Sequence, residues 1–166
     1  REGERDVIVL EKAAVTHGST WHAAGLVGQY RSRRDLTQLM QESVAVYDEI
    51  ESETPIDWRP VGSLRIASSP ERWKEYRAAE PIARAYGVSF ELLDAAEARR
   101  HFPFLSTAGV EGAAFVARDG YVDPSTLTLA YAARARKLGV RIAEGVRVTG
   151  AEVSHARVQA VLTDHG

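Results

Sequence analysis

Apolar positions recur along the chain with two different spacings, which predict where strands and helices lie. Residues 7–10 form a continuous apolar run closed by the charged pair Glu11-Lys12, a pattern typical of a strand buried on both faces of a parallel sheet. A glycine- and hydroxyl-rich stretch over residues 16–28 is predicted as a loop that enters a short helix. From Ser32 the spacing is helical, with Ser32 as the predicted N-cap and Thr54-Pro55 as the end. The predicted apolar stripe of this helix comprises Leu36, Leu39, Met40, Val44, Tyr47 and Ile50.

The middle of the chain alternates short strands with capped helices. Residues 63–67 alternate as in a half-buried strand. Ser69-Pro70 predicts an N-cap followed by proline in the first turn of a helix that ends at Gly87. The side chains that this helix is predicted to bury are Trp73, Tyr76, Ile82 and Tyr86. The elements predicted next are a strand over residues 88–93, a short helix from the cap Asp94 to Pro103, and a strand over residues 110–116.

The last part of the chain predicts one helix and one hairpin. Asp123 and Pro124 are the expected N-cap and first residue of a helix that Gly139 ends. Residues 146–153 and 158–162 then alternate around a polar turn, as in a β-hairpin. The order of the predicted strands and helices along the whole chain predicts an α/β fold, in which a doubly wound, Rossmann-like nucleotide-binding domain is interrupted by an α+β segment. The predicted nucleotide-binding domain comprises residues 1–58 and 119–166, and the inserted segment comprises residues 59–118.

Composition narrows the class of protein. Of 166 residues, 21 are basic and 23 acidic, so there is no basic excess to hold a nucleic-acid backbone. The absence of cysteine excludes thiol nucleophiles and thiolate metal sites within this segment. Apolar runs are far shorter than the roughly 20 residues of a membrane helix, and residues 1–5 lack the pattern of a signal peptide. We expect a protein of the cytoplasm, or of the mitochondrial matrix if it is eukaryotic.

Two features near the start of the chain are candidates for a nucleotide-binding site. Glu11 ends the first predicted strand, where a doubly wound fold places the carboxylate that binds a ribose; the alternative is a surface carboxylate. Residues 18–26 combine glycines, hydroxyls and alanines around Trp21-His22. Exposed amides and hydroxyls at the start of a helix suit a pyrophosphate. The alternative is a polar turn with a half-buried aromatic pair, in which His22 has a structural role.

Several motifs together resemble one enzyme family. Residues 9–12 and the run Gly18-Ser19-Thr20-Trp21-His22-Ala23-Ala24-Gly25-Leu26 resemble the flavin-binding segment of dimethylglycine and sarcosine dehydrogenases, in the D-amino-acid-oxidase-like superfamily. Further stretches agree in order and spacing, so that the resemblance covers nearly the whole chain. These stretches are residues 62–67, 70–72, 101–105 and 119–124.

The resemblance implies a site for FAD. Glu11 and Lys12 would bind the adenosine ribose, and residues 18–26 would line the pyrophosphate, the ribityl chain and the flavin. His22 would bond covalently to the 8α-methyl carbon of the flavin, and the backbone of Val148 would face the adenine. The residues expected to bind FAD are Glu11, Lys12, Gly18, Ser19, Thr20, Trp21, His22, Ala23, Ala24, Gly25, Leu26 and Val148.

The resemblance also implies a reaction, and further regions of a longer protein to which this segment would belong. The reaction is oxidation of an N-methyl amine such as dimethylglycine or sarcosine, by hydride transfer to the flavin. Its expected partners are a protein electron acceptor and, in a C-terminal region beyond this segment, tetrahydrofolate. The glycine-rich strand that should precede Glu11 is absent, so the chain is expected to be an internal fragment, inactive alone.

Two alternatives and several unassigned residues complete the prediction. One alternative is a relative that binds FAD without a covalent bond and oxidises another amine or amino acid. The other is a non-catalytic module that contributes only flavin contacts.

No catalytic residue is expected within the segment, and Arg65 is expected to be solvent-exposed without a role. The remaining histidines show no ligand-like pairing, so no metal site is expected; they are His17, His101, His155 and His165.

Overall fold

The computed structural model describes Gly3 and residues 6–166 and contains two compact units. Unit 1 comprises Arg1–Ala24 and Asp123–Gly166, and unit 2 comprises Gly25–Val122. The predicted domain boundaries at residues 58 and 118 stay a prediction, since they concern the domains of the whole protein. The interpretation that residues 1–5 are not a signal peptide falls largely outside the described residues, because Arg1, Glu2, Glu4 and Arg5 are among those not described.

A parallel strand pair forms the centre of unit 1. Strand β1 (Ile8–Glu11) pairs with β7 (Arg141–Glu144), so that Glu11 lies opposite Glu144. The predicted parallel strand is therefore confirmed, but its predicted burial on both faces is wrong, because Ile8 and Val9 are exposed. Among the described residues β7 is the only strand that pairs with β1, and parallel strands are buried only where helices cover both faces of their sheet.

Helix α4 (Pro124–Lys137) follows the predicted capping pattern. The Asp123 carboxylate accepts a hydrogen bond from the Thr126 amide at 2.6 Å, which satisfies one of the amides that a helix start leaves unpaired. Beyond the other end, Gly139 has a φ of +89°, the left-handed region that glycine adopts without strain. The helix packs on β7 and on a 3₁₀ turn, Thr20–His22, where a short helix was predicted.

A hairpin ends unit 1. It consists of β8 (Val148–Ser154) and β9 (Arg157–Thr163). His155 and Ala156 between them both have positive φ values of 51° and 58°. Two consecutive residues with positive φ match the twist of antiparallel strands in a two-residue loop. The predicted hairpin is confirmed.

Helix α1 (Arg34–Glu53), the first helix of unit 2, begins in a way that the sequence did not predict. Ser32 is not the N-cap; Arg33 occupies that position without a side-chain cap. Instead, the buried Thr37 hydroxyl accepts from the Arg31 amide and donates to the carbonyls of Arg31 or Arg33. The Thr37 hydroxyl thus ties the segment before the helix to its first turn, while the first amides of the helix receive no side-chain cap. In the predicted stripe Val44 and Ile50 are buried, whereas Leu36 and Leu39 are exposed.

The core of unit 2 is an antiparallel sheet with two helices. The strand order is β3-β5-β4, with β5 in the centre. Strands β3 (Ser63–Ala67), β4 (Glu91–Leu93) and β5 (Gly112–Val116) form the sheet, and α2 (Pro70–Ala85) and α3 (Ala95–His101) pack on it. The predicted strand over residues 88–93 is too long. Burial of Ile82 is also wrong: Ile82 is exposed and its neighbour Ala83 is fully buried.

A two-stranded ribbon joins the ends of unit 2. Strand β2 (Leu26–Val27) pairs antiparallel with β6 (Gly120–Tyr121). The Val122 amide also donates to the Gly25 carbonyl at 3.0 Å. The first and last residues of the unit are therefore hydrogen-bonded neighbours.

Candidate functional site

Two carboxylates lie side by side at the carboxyl end of the parallel strands of unit 1. Glu11 Oε1 accepts from the Ala13 amide at 2.8 Å, and Glu144 Oε1 accepts from the Val15 amide at 2.6 Å. The half-buried Glu11 keeps its second oxygen for other donors, such as the hydroxyls of a ribose. Glu144 is a position that the sequence analysis missed, because the strand that it ends, β7, was not predicted.

The segment that leaves β1 forms a chain of tight turns. The His17 amide donates to the Ala14 carbonyl at 3.0 Å, and the His22 amide donates to the Ser19 carbonyl at 3.2 Å. Thr16 has a φ of +82°, a conformation that an L-residue adopts only where neighbouring contacts enforce it. The turns hold Gly18 and Ser19 exposed, with open space around the α-carbon of Gly18. Their backbone is therefore accessible to a ligand.

Trp21 and His22 present an aromatic surface to solvent. The ring centroids are 3.7 Å apart, and 62% of Trp21 is exposed. The two rings, together with Thr16 and His17, line a cleft of about 390 Å³. Exposed aromatic side chains that line a concave cleft are typical of a binding site. The alternative of a half-buried aromatic pair is not observed, because both rings are exposed.

These residues fit a flavin nucleotide. A ribose matches a carboxylate with a spare acceptor oxygen, a pyrophosphate matches exposed hydroxyls and amides, and an isoalloxazine matches flat apolar rings. The structure brings together Glu11 and the segment up to Ala24 within unit 1; Lys12, Ala23 and Ala24 are exposed. Val148 begins β8 in the same unit and is 51% exposed, so it is not an ordinary buried strand residue. Gly25 and Leu26 belong to unit 2, where Leu26 is 81% exposed.

Unit 2 contains a buried carboxylate that the sequence analysis did not identify. Asp119 is 1% exposed. Its Oδ1 accepts from the Gln29 amide at 2.8 Å, and its Oδ2 accepts from the Ser63 hydroxyl at 2.6 Å. The buried Gln29 side chain donates to the Arg118 carbonyl at 2.7 Å. A buried charge requires such partners, so Asp119 ties β3, β6 and the segment after β2 into one network.

Arg65 is the charged partner of Asp119, and its predicted solvent exposure without a role is wrong. Its Nη2 lies 3.3 Å from Asp119 Oδ2, and its side chain is 30% exposed. Its positive charge also acts on Tyr30: burial and the neighbouring Tyr86 raise the pKa of the Tyr30 phenol, and Arg65 partly opposes that rise. Alternation along β3 placed Arg65 on a strand, but only the fold shows that a buried carboxylate lies opposite it.

The other histidines do not converge. His101 packs against the Phe115 ring, with centroids 4.2 Å apart, and His165 contacts the Gly145 carbonyl through Nε2. Within Gly3 and residues 6–166, no group of three or more metal-ligating side chains is found. Over the same residues, no helix has the length and apolar character needed to cross a membrane.

Solved structures share this architecture. The chain superimposes on the L-proline dehydrogenase from P. horikoshii with a TM-score of 0.92 and 26% sequence identity, over 96% of this chain and 43% of that chain. The predicted α/β fold class is confirmed by this likeness.

Sequence relatives point to the same class. The chain is 32% identical over 151 residues to the mitochondrial dimethylglycine dehydrogenase of Rattus norvegicus, which covers 90% of this chain and 18% of the relative. It is 35% identical over 174 aligned positions to the mitochondrial sarcosine dehydrogenase of Homo sapiens, over 99% of this chain and 19% of the relative. The chain thus spans about a fifth of the length of these relatives.

The family itself follows from the whole sequence. The family model described as FAD dependent oxidoreductase (DAO) matches residues 1–166. The chain belongs to the DAO family of FAD-dependent oxidoreductases, and the resemblance derived from its motifs is confirmed.

Proposed function

We propose that this chain is part of a longer FAD-dependent dehydrogenase or oxidase that removes hydride from the N-methyl group of dimethylglycine or sarcosine. The observation that carries the proposal is the exposed Trp21-His22 pair, which lies in a cleft beside the turns that follow β1. The proposal is supported by the two relatives of about one-third identity, which are named for these two substrates. Location in the cytoplasm, or in the mitochondrial matrix of a eukaryote, is part of the same proposal.

In this proposal Glu11 and Lys12 bind the ribose of FAD. The free oxygen of Glu11 accepts from ribose hydroxyls, while its Oε1 stays on the Ala13 amide. Gly18, Ser19 and Thr20 offer amides and hydroxyls to the pyrophosphate. Trp21 to Leu26 line the ribityl chain and the flavin, and the Val148 backbone faces the adenine. FAD, when bound, supplies the hydride acceptor for the reaction.

His22 is proposed as the covalent attachment point of the flavin. An exposed imidazole has a ring nitrogen available as a nucleophile, and the packing of Trp21 against it restricts its orientation. A covalent bond retains the cofactor through unfolding. His17 lines the same cleft and so provides a matched control.

The covalent bond is tested on the full-length protein. Flavin fluorescence should stay with the protein band on a denaturing gel for the parent protein and for His17→Ala, and should disappear for His22→Ala. A dark parent band, or a fluorescent His22→Ala band, favours the alternative of a relative that binds FAD without a covalent bond. Loss of the signal in His17→Ala alone would move the attachment to His17.

Substrate and partners are tested separately. Dimethylglycine and sarcosine should reduce the flavin of the full-length protein under anaerobic conditions, whereas amines without an N-methyl group should not. A protein electron acceptor, and tetrahydrofolate acting through a region beyond this chain, are the proposed partners. Oxidation of sarcosine by the isolated 166 residues with added FAD would contradict the interpretation of this chain as an inactive part. Binding of FAD by the full-length protein without oxidation of any amine would favour the alternative of a non-catalytic module that contributes only flavin contacts.

A further inference from the structure

Thr16 has a strained backbone conformation in the segment that follows β1. Its φ of +82° lies in the left-handed region, which β-branched residues disfavour most strongly. The segment contains a glycine two positions away, but Gly18 does not have a positive φ. Strained residues other than glycine cluster at binding and active sites, where surrounding contacts enforce their conformation. The strain at Thr16 therefore points to enforcing contacts and to a role for its side chain.

The end of strand β7 holds the backbone directly before Thr16. The Val15 amide donates to Glu144 Oε1 at 2.6 Å. The Gly145 amide donates to the Ala13 carbonyl at 2.9 Å, so two consecutive residues at the end of β7 are bonded to the segment. The bond from Gly145 joins two backbones and does not depend on a side chain. The carboxylate of Glu144 is therefore the contact through which a substitution can release the backbone at Thr16.

The side chain of Thr16 is available to a ligand. Thr16 is half-buried and lines the cleft of about 390 Å³ beside Trp21 and His22. Among the described residues no hydrogen bond is found for its hydroxyl, whereas the hydroxyls of Thr37 and Thr128 donate to backbone carbonyls. A threonine hydroxyl has one donor and two acceptor positions, so that of Thr16 can bond a molecule in the cleft.

Thr16 lies along the chain between the residues proposed to bind the two ends of FAD. Glu11 is proposed to bind the ribose, and Trp21 and His22 the flavin. The part of FAD that joins its ribose to its flavin carries two phosphates, and a hydrogen bond to a charged phosphate oxygen is short and strong. The sequence analysis did not assign Thr16, because the motif that it used begins at Gly18.

We propose that Thr16 is a further cofactor-binding residue, whose hydroxyl donates to a phosphate oxygen of FAD, and that Glu144 is the positioning residue that holds Thr16 in place. The strain and the contacts that enforce it lie within unit 1, whereas FAD as the ligand rests on the proposed function. Glu144 acts through the Val15 amide and does not touch the cofactor.

The affinity for FAD is measured in the full-length protein. Because a covalently bound flavin does not exchange, every variant is made in the His22→Ala protein, freed of flavin and titrated with FAD by calorimetry. Thr16→Val keeps the branched shape and the strain but lacks the hydroxyl. Its dissociation constant for FAD should therefore rise roughly 10- to 100-fold, the range for a hydrogen bond to a charged group.

Three further variants separate the hydroxyl from the strain. Thr16→Ser retains the hydroxyl and should bind FAD nearly as tightly as the His22→Ala protein. Thr16→Gly relieves the strain but lacks the hydroxyl, so it should bind as weakly as Thr16→Val. Thr54→Val makes the same replacement at the exposed end of α1 and should not change the dissociation constant. A change of less than twofold in Thr16→Val, or undiminished affinity in Thr16→Gly, overturns the role of the hydroxyl.

Two variants of Glu144 test its positioning role. Glu144→Ala removes the acceptor of the Val15 amide, so the conformation that binds FAD becomes less populated and the dissociation constant should rise roughly 3- to 10-fold. Glu144→Gln retains a side-chain carbonyl oxygen for that amide and should restore the affinity. Equal effects of Glu144→Ala and Glu144→Gln would assign the change to charge and overturn the positioning role.

A double variant tests whether the two residues act together. Because Glu144 is proposed to act only through Thr16, Thr16→Val with Glu144→Ala should bind FAD little more weakly than Thr16→Val alone. Fully additive effects of the two substitutions would show that Glu144 acts elsewhere and would contradict the proposal.

The outcomes also distinguish this inference from the proposed function. If Thr16→Val weakens FAD binding but neither dimethylglycine nor sarcosine reduces the flavin, the inference stands and the proposed function fails. If either substrate reduces the flavin and Thr16→Val binds FAD as tightly as the His22→Ala protein, the function stands and the inference fails. A full-length protein that binds no FAD refutes both.

Discussion

Replacement of Asp119 by alanine should destabilise unit 2 far more than replacement of an exposed carboxylate. The variant removes the acceptor of the Gln29 amide and the Ser63 hydroxyl, which donate at 2.8 Å and 2.6 Å, and it removes the counter-charge of Arg65. A hydrogen bond to a charged group contributes about 1.5–3 kcal/mol, and breaking a buried ion pair costs about 3–5 kcal/mol. Because Arg65 is 30% exposed, water screens part of its loss.

We therefore expect Asp119→Ala to lower the free energy of unfolding by roughly 3–5 kcal/mol. With an m-value of about 2 kcal/mol/M, the urea midpoint should fall by about 2 M. Tryptophan fluorescence follows the transition, because Trp58 and Trp73 both belong to unit 2. Glu75→Ala, which removes the acid of an exposed pair with Arg72, is the control, with an expected loss of at most about 1 kcal/mol.

A matched variant tests the cause of the effect. Asp119→Asn retains one carbonyl oxygen for the Gln29 amide but removes the charge that attracts Arg65, so its loss should lie between those of Glu75→Ala and Asp119→Ala. Equal losses for Asp119→Ala and Glu75→Ala would refute the role of burial. An Asp119→Asn variant as unstable as Asp119→Ala would show that charge, and not hydrogen bonding, dominates.

Two further predictions concern local backbone geometry. A Cβ at Gly120 would lie 2.0 Å from the Arg59 carbonyl oxygen, so Gly120→Ala must break a hydrogen-bonded bridge and should lower the free energy of unfolding in urea by roughly 2–4 kcal/mol. In the control Gly150→Ala the nearest contact of the new Cβ is at 3.5 Å, so the free energy of unfolding should hardly change. Equal losses in the two variants would contradict the predicted clash. The hydrogen bonds from Thr126 lower the pKa of Asp123, so its cap stabilises α4 fully above the unfolded-state pKa near 4 and loses this effect as pH falls through the lower folded-state value. The difference in urea midpoint between parent and Asp123→Ala should therefore shrink on acidification below about pH 4, and a difference that grows would refute the sign.

Local signals predicted the elements whose determinants lie within a few residues. The caps Asp123 and Asp94 were predicted from the sequence because a cap joins residues three positions apart: Asp123 accepts from the Thr126 amide, and Asp94 accepts from the Glu97 amide. The hairpin turn at His155 was also predictable, because it depends only on neighbouring residues. By contrast, Ser32 was predicted as a cap from its residue type alone, whereas the helix begins two residues later at Arg34 and the Thr37 hydroxyl bonds the backbone of Arg31 and Arg33, a competing local bond that a capping rule does not weigh.

Residues of the candidate sites could likewise be predicted only where they lie close together along the chain. The segment from Gly18 to Leu26 is contiguous, so its motif could be recognised before the fold was known. The network of Gln29, Arg65 and Asp119 spans up to 90 positions along the chain, and no spacing rule links these residues. The exposure of β1 was also beyond prediction, since burial depends on which elements cover the two faces of the sheet and not on the side chains of the strand alone.

The hydrogen bond between Gly25 and Val122 has a consequence for the order of folding. Strands β1 and β7 are far apart in sequence, so their pairing in an unfolded chain requires closure of a long loop, whose entropic penalty grows with loop length. Once unit 2 has folded, its two ends are adjacent, and the effective loop between the halves of unit 1 becomes short. We expect unit 2 to fold first and the pairing of β1 with β7 to follow across this shortened connection, so that contacts distant in sequence form at nearly local speed.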